Sequence, residues 1–161
     1  DACGRIKWAV DRFSGGIVAS TSFGLQSAVM IHLISQISSE IPIIFVDTGY
    51  LFPATYQYAE TLSQKMDFNL RVYSSNLSSA FQEARHGKLW EGGKEEMSKY
   101  NFINKREPMN RALGELGATI WLAGLRRSQS KFRENINIWP YPPWNKDKKR
   151  PNHKIFQSLC N

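Results

Sequence analysis

The chain has 161 residues, of which 42% are hydrophobic and 22% are charged, as expected for one globular domain with its own core. No apolar run is long enough to span a membrane, because polar side chains interrupt the longest candidate, residues 25–37. The formal net charge of +7 favours anionic partners, and two cysteines, Cys3 and Cys160, are too few for a disulfide framework or a cysteine-ligated metal cluster. The first residue is Asp1 and no signal-peptide pattern follows it, so we expect a fragment or a processed form in a reducing, cytoplasmic compartment.

Short apolar runs alternate with helical patterns along most of the chain. Strands are predicted over residues 16–22, 41–46, 70–73 and 120–123, and helices over residues 25–37, 53–66, 78–85 and 108–116. This alternation predicts an α/β fold, with a mostly parallel twisted sheet and helices on both of its faces, as in Rossmann-like proteins. From residue 135 onward, proline, aromatic and basic residues follow no clear period. We therefore expect a nucleotide-binding domain over residues 1–134 and an irregular tail over residues 135–161.

The strongest local signal is the segment Ser20–Ser27, where a predicted strand turns into a helix. Small residues let backbone N–H groups converge on one point there, and the positive end of the helix dipole favours an anion. Gly24 permits close backbone approach, although the loop lacks the Gly-Lys-Ser/Thr ending of a Walker A motif. Two interpretations are open at this point: an anion-binding cradle, or an ordinary serine-rich turn between a strand and a helix.

Polar segments also follow two other predicted strands. Asp47-Thr48-Gly49 ends the second strand, and the arginine-rich segment from Gly124 to Arg133 follows the fourth. Because the carboxyl ends of parallel strands meet at one edge of a sheet, we expect these segments to meet where α/β sheets bind ligands. Asp47 either orients a ribose hydroxyl or caps the following turn. Trp121 is most simply a core residue.

These segments resemble those of the 3′-phosphoadenosine-5′-phosphosulfate (PAPS) reductases, a family within the PP-loop nucleotide-binding group. The resemblance runs from about Asp1 to about Asn135 and includes the stretches Gln82–Trp90 and Lys105–Leu113. It implies an adenine nucleotide α-hydrolase-like fold, a homodimer and a role in sulfate assimilation and cysteine biosynthesis. The implied reaction is the reduction of PAPS to sulfite and adenosine 3′,5′-bisphosphate, with thioredoxin or glutaredoxin as external reductant and no bound metal, flavin or other cofactor.

The resemblance also implies the substrate-binding residues. Where relatives that hydrolyse ATP carry an aspartate, this chain has Gln26, whose amide donates hydrogen bonds without repelling an anion. Each arginine or lysine alone is most simply a solvated cation, but as a cluster beyond a strand end they suit the extra 3′-phosphate of PAPS. The expected set is Ser20, Ser22, Phe23, Gly24, Gln26, Ser27, Asp47, Thr48, Gly49, Lys105, Arg111, Gly124, Arg126, Arg127, Gln129, Ser130 and Arg133.

The chain departs from the family pattern at its cysteines. Relatives that reduce adenosine 5′-phosphosulfate typically carry cysteine pairs for an iron–sulfur cluster, whereas this chain has none, so we expect PAPS as the substrate and no such cluster. The family's catalytic cysteine lies in a Glu-Cys-Gly-x-His segment, which matches nothing here, and the catalytic residue is left unassigned. Truncation, a frameshift and divergence would each produce this pattern.

Three functions therefore stay open. The favoured one is a PAPS reductase, or most of one. The others are a nucleotide-binding remnant without the catalytic thiol, and another PP-loop enzyme such as a sulfate adenylyltransferase subunit or an ATP pyrophosphatase. We expect neither a membrane nor a nucleic acid as partner, because a nucleic-acid role would rest only on the basic tail.

Overall fold

A computed structural model describes residues 1–13, 15–125 and 131, and the backbone of residues 154–156. A parallel sheet with helices on both faces forms the molecule in this part of the chain. The helices are α1 Ala2–Arg12, α2 Ser27–Ile37, α3 Pro53–Lys65, α4 Ser79–His86, α5 Lys94–Asn101 and α6 Glu107–Glu115. The strands are β1 Ile17–Thr21, β2 Pro42–Asp47, β3 Asn69–Ser74, β4 Ile120–Ala123 and β5 Lys154–Phe156. A 3₁₀ turn, Leu89–Glu91, precedes α5, and a π-helical turn, Phe102–Arg106, joins α5 to α6.

The strand order is β3-β2-β1-β4-β5, and every neighbouring pair is parallel. The chain moves outward from β1 through β2 to β3, and it then crosses back to place β4 on the other side of β1. This reversal leaves a crevice between the carboxyl ends of β1 and β4, the place where open α/β sheets bind ligands. The predicted α/β fold with a parallel sheet is confirmed.

Strands β1 and β2 are buried on both faces, as continuous apolar runs in parallel sheets generally are. Ala19 and Ile43 pack with buried side chains of α1, α2 and α3 in one core. Val18 and Ile44 pack with Ala112 and other side chains of α6 in a second core on the opposite face. The sheet is thus covered on both sides, and its carboxyl edge is left for loops.

Several elements depart from the sequence-based expectations, among them helix α5 and the π-helical turn after it, neither of which was predicted. Helix α1 was not predicted, although it is amphipathic and buries Ile6 and Ala9 against the sheet. The tail was expected to be irregular, yet β5 pairs with β4 in parallel, with Ile155 beside Trp121. Three residues are too few to show the pattern of a strand in the sequence. Residues 154–156 are identified as a strand only by their pairing with β4. Among the described residues, no helix combines the length and the apolar character that crossing a membrane requires.

Candidate functional site

The loop between β1 and α2 is anchored by Phe23. Its side chain is buried and packs edge-to-face on Phe45, with 4.9 Å between the ring centroids. Its backbone has a φ of +50°, a left-handed conformation that is uncommon outside glycine, and its N–H donates to Thr21 Oγ1 at 3.1 Å. Because the ring is buried, Phe23 offers a ligand its backbone rather than its side chain.

Ser27 opens α2 with a hydroxyl that lacks a partner. Its Oγ is buried and forms no hydrogen bond with any described residue. The Ser27 N–H donates to the Gly24 carbonyl at 2.8 Å, and the preceding residue, Gln26, makes no side-chain capping bond to the N–H groups that follow. A buried unsatisfied hydroxyl is unfavourable, and an anion at the positive end of the helix dipole would satisfy both groups.

The rim of this loop is open. Ser22, Gly24 and Gln26 are all exposed. A side-chain carbon added at Gly24 would meet nothing closer than Ser22 Oγ, 3.8 Å away. The molecule therefore leaves space beside the Gly24 backbone, which is the space that a phosphate group approaching the loop requires.

Asp47 organises the turn after β2. Its Oδ1 accepts hydrogen bonds from the Gly49 N–H at 2.8 Å and from the Tyr56 hydroxyl at 2.7 Å. Burial raises the pKa of Tyr56, and the hydrogen bond to Asp47 raises it further. Of the two roles open for Asp47, the structure contains the turn-capping one, and contact with a ribose stays a prediction.

Thr48 and Gly49 belong to the same turn. Thr48 is buried, and its Oγ1 accepts from the Tyr50 N–H at 3.3 Å. Gly49 has a φ of +73°, and a side chain there would overlap Ser79 Oγ, which donates to the Gly49 carbonyl at 3.1 Å. Glycine is therefore required at residue 49 by the turn itself, whatever binds nearby.

Ser20 and Trp121 connect the neighbouring strands β1 and β4. The Trp121 indole N–H donates to Ser20 Oγ at 2.9 Å. Trp121 is half-buried and packs against the second core, as expected, and its hydrogen bond to Ser20 was not predicted. Because the indole can only donate, the Ser20 hydroxyl keeps its own proton for another acceptor. Gly124 follows β4 and is exposed at the same edge.

The two predicted cations of the α5–α6 region lie in different settings. Arg111 pairs with Glu107 (Nε to Oε1, 3.0 Å) and donates from Nη2 to the Ser74 carbonyl at 2.6 Å. The hydrogen bond to Glu107 is the main reason that the pKa of Arg111 is raised. Arg111 thus holds the end of the edge strand β3. Lys105 is exposed, with its Nζ 5.7 Å from the centre of the Tyr100 ring.

The structure therefore gathers part of the predicted set at the carboxyl edge of the sheet. The β1–α2 loop, Ser20, Asp47-Thr48-Gly49 and Gly124 all follow or end the three central strands. The remaining predicted residues lie outside the described part of the chain: Arg126, Arg127, Gln129, Ser130 and Arg133.

The family model of the phosphoadenosine phosphosulfate reductase domain matches residues 16–154. The chain belongs to this family. Phosphoadenosine 5′-phosphosulfate reductases of several Escherichia coli strains, among them K12/DH10B and O157:H7, are 56% identical to it over 138 residues. The match covers 86% of this chain and 57% of each E. coli protein, so the chain spans little more than half the length of these reductases.

Solved structures agree with the family assignment. The PAPS reductase of Candida auris, crystallised as a phosphate complex, is 26% identical, with a TM-score of 0.76 over 99% of this chain and 72% of that one. The FMN adenylyltransferase of Candida glabrata, in complex with FMN and an ATP analogue, is 14% identical, with a TM-score of 0.57 over 98% of this chain and 51% of that one. The second likeness is one of fold alone.

Proposed function

We propose that this chain binds PAPS at the carboxyl edge of its sheet and serves its reduction to sulfite and adenosine 3′,5′-bisphosphate. The observation that carries the proposal is the buried Ser27 hydroxyl, which has no partner among the described residues, at the start of a helix without a side-chain cap. Membership of the reductase family supports the choice of ligand.

In this proposal the β1–α2 loop receives the phosphosulfate group. The N–H groups that follow Ser27 in the first turn of α2 and the Ser27 hydroxyl donate to its oxygens, and the open space beside Gly24 admits it. In the reaction that the family resemblance implies, the thiolate of the family's Glu-Cys-Gly-x-His segment, which this sequence does not contain, attacks the sulfuryl sulfur. A cysteine S-sulfonate forms, and the bond from that sulfur to the phosphate oxygen breaks. The electron pair leaves with adenosine 3′,5′-bisphosphate, whose growing negative charge the same donors stabilise.

The reductive half of the reaction uses an external dithiol. One thiolate of thioredoxin or glutaredoxin attacks the cysteine sulfur of the S-sulfonate and releases sulfite, and the resulting mixed disulfide is resolved by the second thiol. These two reaction steps require no bound cofactor, metal or iron–sulfur cluster. We also propose a cytoplasmic location and a homodimer, because the pattern of segments resembles that of the family.

The extra phosphate at the 3′ position is the group that distinguishes PAPS from its unphosphorylated analogue. We propose that Lys105 and the arginine-rich segment, with Arg126, Arg127 and Arg133, contact it. Arginine suits this role because its planar fork binds two phosphate oxygens at once.

The test is isothermal titration of the chain with adenosine 3′,5′-bisphosphate and with AMP at two salt concentrations. We expect the bisphosphate to bind more tightly, and we expect the difference to shrink as salt screens the added phosphate. Equal affinities at both salt concentrations would contradict the choice of PAPS, and no binding of either nucleotide would contradict the proposal as a whole.

A further inference from the structure

Two amide side chains form a closed pair inside the molecule. Gln82 on α4 is 3% exposed, and Asn104 in the π-helical turn is fully buried. Gln82 Nε2 donates to Asn104 Oδ1, and Asn104 Nδ2 donates to Gln82 Oε1, both at 2.9 Å. Gln82 Nε2 also donates to the Leu77 carbonyl at 3.0 Å. Apolar groups of the same shape often replace such a pair at little cost in stability, so stability alone does not explain it.

The pair lies at an irregular point in the backbone. Phe102–Arg106 is π-helical, a conformation that is rare and often found at functional sites. Asn104 is at its centre and points inward, whereas Lys105 and Arg106 are exposed. The two amide–amide bonds thereby fix which residues of the turn face inward and which face solvent.

An aromatic cluster connects this turn to the carboxyl end of β2. The Lys105 ammonium lies over Tyr100, whose ring centroid is 6.1 Å from that of Trp90 and 5.9 Å from that of Tyr50. Tyr50 directly follows the turn at Gly49, and its hydroxyl donates to the Ser79 carbonyl at 3.1 Å. Within the described residues, Lys105 forms no salt bridge. Its charge therefore has an aromatic partner, Tyr100, and no carboxylate partner within the described residues.

We propose that Gln82 and Asn104 are positioning residues that set the π-helical turn so that Lys105 contacts an anionic group of the bound nucleotide. The proposal rests on the proposed function, which supplies the ligand. A lysine on a flexible stem loses considerable rotamer entropy when it binds, and a backbone already held in place limits that loss to the side chain. Without the amide pair the turn relaxes, and the backbone of Lys105 is no longer held in one position.

The experiment is a double-mutant cycle on the 161-residue chain. Gln82→Met with Asn104→Leu replaces the pair by apolar side chains of similar size, and Lys105→Met removes the charge while keeping contact with Tyr100. Affinity for adenosine 3′,5′-bisphosphate is measured by titration, and unfolding by urea. We expect Lys105→Met alone to weaken binding about tenfold, the value of one charge-assisted hydrogen bond. The pair variant should weaken binding by a similar factor when Lys105 is present and by less than about twofold in the Lys105→Met background.

The two backgrounds separate positioning from a purely structural role. An equal loss of affinity in both would overturn the proposal, because the pair would then act independently of Lys105. If the apolar pair does not fold, Gln82→Met alone, which removes both amide–amide bonds with a side chain of similar length and adds no buried charge, is carried through the same cycle. Lys88→Met, which removes a surface lysine 3.5 Å from Glu91, is the matched control and should leave affinity unchanged.

Failure of the proposed function has a different signature. A wild-type chain that binds no nucleotide would refute both proposals together. A wild-type chain that binds the bisphosphate, with Lys105→Met binding equally well, would overturn the positioning role alone.

Discussion

The Ser27 hydroxyl destabilises the free protein slightly and is placed to bind a ligand. Its hydroxyl is buried without a partner among the described residues, although a serine hydroxyl can donate one hydrogen bond and accept two. Phosphate oxygens at the start of α2 would accept hydrogen bonds from the Ser27 hydroxyl and from the N–H groups that follow it in the helix. The residue thus gives up a little stability in the free protein and gains a contact in the complex.

We therefore predict opposite effects of Ser27→Ala on stability and on binding. The free energy of unfolding should stay the same or rise by up to about 1 kcal/mol, because an unsatisfied hydroxyl is removed. Affinity for adenosine 3′,5′-bisphosphate should fall about tenfold. Urea unfolding and isothermal titration of the same preparation measure the two quantities.

Ser63→Ala is the control for this prediction. Ser63 Oγ already donates to the Ala59 carbonyl at 3.0 Å on α3, away from the loop. Its replacement should leave nucleotide affinity unchanged. A Ser27→Ala variant that loses stability but keeps full affinity would mean that the hydroxyl serves the fold alone.

The candidate residues show how far their roles could be read from the sequence. Asp47 was recognised as polar and at a strand end, and both suggested roles depended on partners that the sequence does not display. The partners turned out to be Gly49, two residues away, and Tyr56, nine residues away. Arg111 was predicted to read a phosphate, and its bond to the Ser74 carbonyl 37 residues earlier exists only because the edge of the sheet brings the two together.

At the scale of secondary structure, the β1–α2 loop provides its binding surface through its backbone. We predict that Gly24→Val abolishes nucleotide binding, because the added side chain fills the space that the phosphosulfate needs. The free energy of unfolding should change by no more than about 0.5 kcal/mol, as for other exposed substitutions. The reason is that the new side-chain carbon meets only Ser22 Oγ, 3.8 Å away. Titration and the thermal midpoint measure the two effects.

Gly15→Val is the matched control for the loop. Gly15 precedes β1, and a side-chain carbon there meets nothing within 4 Å. This variant should bind nucleotide as the wild type does. Retained binding by Gly24→Val, with an unchanged thermal midpoint, would show that the turn is structural only.

Most of the central elements were predictable because their signals are local. The buried run in β2 and the proline at the start of α3 define those elements within a few residues of the sequence itself. The π-helical turn was not predictable, because its central residue is held by Gln82, 22 residues earlier. Strand β5 is likewise defined by its pairing with β4, and no three-residue pattern could have revealed it.

At the scale of the whole molecule, the carboxyl edge of the sheet can bind a nucleotide, but the reduction also needs a thiolate. The reversal of strand order at β1 and β4 brings the loop, Ser20 and Gly124 to one crevice. These features position a nucleotide, and reduction of its sulfuryl group requires in addition a thiolate within bonding distance of the sulfur.

The last prediction is that the 161-residue chain binds PAPS and does not turn it over. Its sequence contains no Glu-Cys-Gly-x-His segment, and Cys3 is exposed in the first turn of α1. A nucleophile displaced by about 1 Å loses on the order of a hundredfold in rate, so an unmatched cysteine should be inactive. Sulfite release from PAPS with reduced thioredoxin is measured for the wild type, Cys3→Ser and Cys160→Ser. Release that disappears in one of these variants would contradict the prediction and identify that cysteine as the nucleophile, whereas binding without release would assign the chain to nucleotide recognition.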